Sequence, residues 1–89
     1  MPRVRVVRTS DLFIDKLSAF CSSSIQEEDA VLVDVQQLAT TAEAGEVFVF
    51  SGYPGPHYVI LSGRFLIIYQ FSAREVRVKD IRLKAAYDS

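Results

Sequence analysis

Only Ser62, Gly63 and Arg64 separate the apolar run that ends at Leu61 from the one that begins at Phe65, and only Ser72, Ala73 and Arg74 separate Phe71 from Glu75. A parallel crossover needs about a dozen residues or more. The segments "HYVIL" (57–61), "FLIIYQF" (65–71) and "EVRVKDIRL" (75–83) are therefore expected to be antiparallel neighbours joined by tight turns. "VFVF" (47–50), followed by the turn "SGYPGP", reads as one more strand of the same sheet.

Upstream of Val47 the texture is helical. Ser10 suits an N-cap with Asp11 in the first turn, and Phe13, Leu17 and Phe20 fall on one stripe with Ile14 and Cys21 alongside. That helix is expected to end in the serines Ser22 to Ser24. "SIQE" (24–27) has the spacing of a reciprocal capping box, after which Val31, Val35, Leu38 and Ala42 continue a second stripe that Gly45 would stop. The β-branched residues of Ala30–Val35 leave helix and strand both open there. "RVRVV" (3–7) alternates as a half-buried strand does. The expected class is α+β, in the order β-α-α-β-β-β-β, with two N-terminal helices packed on a mainly antiparallel twisted sheet and residues 1–89 forming one domain.

With 49% hydrophobic and 24% charged residues the composition is globular. A domain this size buries roughly 60–65% of its unfolded surface, so a partner that covers further apolar surface would add stability. No apolar run approaches a membrane span, and "MPRVRVVRTSD" lacks an apolar signal core, which points to the cytosol. The single Cys21 has no disulfide partner and is expected to be an inert core thiol rather than a nucleophile.

Net charge is −1, but it is unevenly divided: residues 1–46 carry four basic and eight acidic side chains, residues 47–89 six and three. A locally positive C-terminal half suits a phosphate backbone or an acidic protein, although edge strands also carry such charges to resist aggregation.

In "FLIIYQF", Phe65, Ile67, Tyr69 and Phe71 share one face, and Leu66 and Ile68 the other. Two helices cover one face of a sheet. The second face then meets either a partner, for which Leu66, Ile68, Tyr58 and Ile60 are the expected contacts, or the chain's own loops and C-terminal tail. In the last strand Val76 and Val78 are apolar at even positions but Ile81 and Leu83 at odd ones. A β-bulge at Lys79–Asp80 would restore the register.

No phosphate loop, metal-ligand cluster or nucleophile elbow appears, so no cofactor and no metal is expected. His57, the one histidine, follows Pro56 and reads as a solvated turn residue before it reads as a general base. What remains is cationic: Arg64, Arg74, Arg77, Lys79, Arg82 and Lys84, with Tyr58, Tyr69 and Tyr87 as aromatic neighbours. Such residues either decorate a solvated face or hold phosphate and stack bases.

This order, together with "LATTAEAGE", "YVILSGRFLIIYQF" and "EVRVKDIRLKAAYD", resembles the RelE/ParE superfamily of bacterial toxin components over nearly the whole chain. The resemblance implies a toxin held inactive by an antitoxin segment packed on the sheet and helices. In the RNA-cleaving branch, an arginine on the penultimate strand and basic, histidine or tyrosine residues near the C-terminus handle the phosphate and the 2′-hydroxyl. Here the arginine slot, three residues before Tyr69, holds Leu66, with Arg64 displaced by two, and the late histidine slot falls near Leu83. Tyr87 and Arg82 are then the catalytic candidates, and Arg64, Arg77 and Lys84 the RNA- or anion-binding ones. Three functions follow as expectations: an endoribonuclease acting on RNA or the ribosome, a toxin that binds DNA gyrase without catalysis, and a non-toxic dimeric adaptor that keeps the fold.

Overall fold

A computed structural model describes residues 4–49 and 52–87, except for the side chain of Tyr87. Strand β1 (Val6–Thr9) leads into α1 (Asp11–Phe20) and α2 (Ile25–Thr41). A short 3₁₀ turn, Ala42–Ala44, precedes β2 (Glu46–Val49), β3 (Pro56–Ser62), β4 (Phe65–Phe71) and β5 (Glu75–Leu83), and a second 3₁₀ turn covers Lys84–Tyr87. The five strands form one sheet in the order β1-β5-β4-β3-β2. All neighbours are antiparallel except β1, which runs parallel to β5 with Val7 beside Val76. The α+β class and the element order are those expected from the short turns and the helical stripes.

Both helices start on serine caps. The Ser10 hydroxyl accepts from the Phe13 amide and donates to the Lys79 carbonyl, so the cap that begins α1 also ties it to β5. Ser24 accepts from the Glu27 amide, but the Glu27 carboxylate turns outward to Arg64 instead of closing a reciprocal box. Residues 30–35 are helical, because Val31, Val35 and Leu38 place one stripe on the core.

The core lies between the helices and one sheet face. Phe13, Leu17, Cys21, Val31, Val35, Leu38 and Ala42 meet Phe65, Ile67, Tyr69, Val76, Val78 and Ile81. Ile14, expected beside this stripe, is 43% exposed because it lies off the axis of the buried Phe13–Leu17 row. The N-terminal alternation runs in the phase opposite to the hydrophobic one. Arg5 is buried while Val4 and Val6 are exposed. The Arg5 guanidinium is satisfied by the Ser72 carbonyl at 2.7 Å and Glu43 at 2.8 Å and lies over the Phe71 ring, so an ion pair and a carbonyl hold it where an apolar side chain was expected.

The bulge is where the alternation slips. Ile68 pairs with Asp80 and Tyr69 with Val78, leaving Lys79 as the extra residue, so Val76, Val78, Ile81 and Leu83 all face the helices. Among the described residues, no helix is long and apolar enough to cross a membrane.

Candidate functional site: the open face of the sheet

The face of the sheet turned away from the helices is partly roofed by the chain itself. Gly52 and Gly55 adopt positive φ, +90° and +78°, and fold the segment 52–55 back over the strands. Tyr53 thereby packs on Val59, Ile68 and Leu66, and Ile68 is fully buried. Part of this face is therefore covered by a loop, one of the two coverings expected from the sequence. Leu61 at the hairpin end remains 58% exposed.

Beneath Tyr53 lies His57, only 1% exposed, its ring 5.2 Å from the Tyr53 ring. Nδ1 lies 3.3 Å from the Gly55 carbonyl, and Nε2 has no hydrogen-bond partner among the described residues. The expectation of a solvated histidine is thus corrected: the returning loop shields it from water.

Two carboxylates organise the charges of this face, and both belong to β5. Asp80, next to the bulge and 3% exposed, accepts from Lys16 Nζ at 2.7 Å, the Ile81 amide at 2.8 Å, the Tyr53 hydroxyl at 3.1 Å and Arg82 Nε at 3.2 Å. Burial alone would raise its pKa, but Lys16, the Ile81 amide and Arg82 outweigh burial and hold the carboxyl below its ordinary range. Glu75 accepts from both Arg77 and Arg8, whose strands place them side by side, and these hydrogen bonds keep its pKa low as well. The Arg82 guanidinium also lies 5.6 Å from the Tyr53 ring centre. Lys79, between the two clusters, makes no ion pair among the described residues. Five cations, Arg8, Lys16, Arg77, Lys79 and Arg82, thus surround two carboxylates.

The residues expected from the sequence divide between places. Arg82 and Arg77 lie on this face. Arg64 does not: it grips Glu27 with two nitrogens at 2.8 and 2.9 Å, donates to the Phe20 carbonyl and stacks on Phe65, clamping the β3–β4 turn to the helices. Lys84 starts the final 3₁₀ turn, where its amide bonds the Arg64 carbonyl. Leu83, in the expected histidine slot, faces the helix-side core. The Tyr87 side chain is outside the described residues. Of the four expected partner contacts, Leu66 and Ile68 are on the open face, whereas Tyr58 and Ile60 pair with Tyr69 and Ile67 and so face the helices. The four do not form one surface.

Sequence reasoning did not assign Tyr53, Lys16, Arg8 or Asp80 to the site. The available signals were an aromatic residue flanked by glycine and proline in a loop, and a carboxylate at the point where the alternation breaks. Among the described residues no group of histidine, cysteine or acidic side chains has the arrangement of a metal site. Cys21 is buried, its pKa raised by burial and by Glu27, in keeping with an unreactive thiol.

No family model matches the sequence, and no curated protein is significantly similar to it.

Proposed function

We propose that this chain is a toxin-type domain of the RelE/ParE kind that acts on RNA or the ribosome through its open sheet face and is neutralised by a partner segment. The observation that carries the reading is the charge of that face: five cations around two carboxylates, beside an aromatic ring, in a chain whose net charge is −1. The β-α-α-β-β-β-β order supports the same reading. Arg82 is the side chain assigned to the phosphate, held in place by Asp80 and by the Tyr53 ring. The only histidine is buried under Tyr53, which favours binding over histidine-based cleavage.

Expression of the chain alone in bacteria, with growth and mRNA integrity followed together, tests this. Growth arrest that is lost in a folded Arg82→Gln variant is the expected result. Fragmented mRNA would identify cleavage, and intact mRNA a block at the ribosome or at gyrase. Normal growth with soluble, folded protein would reject the toxin reading.

A second reading, a non-toxic dimeric adaptor, is favoured by β2. This edge strand exposes Val47, Phe48 and Val49 and carries neither lysine nor proline, the residues that commonly protect an edge from pairing. Sedimentation as a monomer at micromolar concentration would count against it.

A further inference from the structure

We propose that the hollow between the start of α1 and the bulge of β5 is a nucleotide subsite, with a phosphate held by Lys79 and Arg77 and the adjoining base against Tyr53. The hollow measures about 420 Å³ and is lined by Arg8, Ser10, Leu12, Tyr53, Arg77 and Lys79 among others. That volume falls within the range of about 300–1,000 Å³ usual for small-ligand sites. It lies away from the Arg64 and Lys84 end of the sheet, and of the residues expected from the sequence to bind an anion it includes only Arg77 and Lys79.

Three features of the hollow converge on an anion that carries a flat apolar part. The first is charge. Glu75 is shared between Arg8 and Arg77, and Asp80 between Lys16 and Arg82, so each carboxylate already serves two cations. Lys79 lies between them without a counter-charge among the described residues, and the exposed Asp11 of the first turn of α1 forms no ion pair with it. A phosphate supplies the missing negative charge.

The second feature is the bulge. Lys79 is the residue that the ladder does not need, since Val78 and Asp80 continue the pairing without it. Its carbonyl is fixed by the Ser10 hydroxyl, which also caps α1, so the backbone that carries the lysine is braced from two elements. The third is the wall. Tyr53 and Leu12 offer apolar surface next to the cations, and the Tyr53 ring is held by its hydroxyl on Asp80. An aromatic ring fixed beside a cationic rim is the arrangement on which single-stranded bases stack. Inorganic phosphate alone would leave that wall unused.

The subsite rests on the open face being the anion-binding face, but not on toxicity. The test is fluorescence anisotropy of a short labelled single-stranded RNA with the purified chain, across a salt series, with thermal melting of each variant to check folding. Lys79→Gln is expected to weaken binding and to lower the slope of log affinity against log salt by about one. Tyr53→Leu is expected to weaken it roughly fivefold or more. If RNA binds but neither folded variant changes affinity or slope, the subsite is wrong while the wider face stands. Absence of RNA binding by the wild-type chain overturns both. Polyglutamate bound as tightly as RNA overturns the nucleotide assignment and identifies an acidic protein surface instead.

Discussion

Tyr69 and Gly45 are coupled by space. The Tyr69 hydroxyl donates to the Ala42 carbonyl at 2.6 Å, and a Cβ built on Gly45 would stand 2.1 Å from that hydroxyl. The φ of Gly45 is −71°, which any residue adopts, so glycine is required here for room. In the sequence this glycine reads only as a helix stop, because nothing local announces a tyrosine arriving from a distant strand. Burial pushes the Tyr69 hydroxyl from an ordinary value near 10 up to about 12. The unfolded chain therefore releases this proton first, and the stability the neutral hydroxyl contributes is complete below about pH 10 and lost as pH rises to about 12. Urea midpoints measured across this range should fall further for the wild type than for Tyr69→Phe. Parallel curves would contradict the assignment.

At the scale of elements, β5 shows why some features were legible and others were not. The slip between Val78 and Ile81 is a defect in a period of two, and such a defect identifies a bulge without any partner strand being known. The inverted phase of residues 4–6 was not legible, because the partners of Arg5, Glu43 and Ser72, come from remote parts of the chain. The Tyr53 loop was equally hidden: its glycines mark a turn but not the direction in which it folds. A paired prediction follows from the bulge. Deleting Lys79 leaves Val76, Val78, Ile81 and Leu83 in one regular alternation, so the variant should fold and lose less stability than one that lacks Arg77. Deleting Arg77 forces a buried valine onto the open face and should cost at least about 2 kcal/mol. Chemical denaturation of the two variants provides the comparison, and equal losses would argue against the register.

Among the described residues, the molecule is a sheet with one face closed by two helices and the other closed only in part, by the loop that carries Tyr53. The closed face was readable from the sequence, since Phe13, Leu17, Val31, Val35 and Leu38 on the helices match Phe65, Ile67 and Tyr69 on β4 in period and chemistry. The open face was not, because its organisation depends on two carboxylates that gather cations from β1, α1 and β5. The proposed function rests on the charge and shape of that face, and the two faces give opposite expectations for any ligand. The most direct measurement is an amide-resolved NMR titration of isotope-labelled protein with a short single-stranded RNA. Shifts are expected to cluster at Arg8, Tyr53, Arg77, Lys79 and Arg82. Shifts confined to the outer surface of α2, around Val33 and Gln36, or none at all, would contradict it.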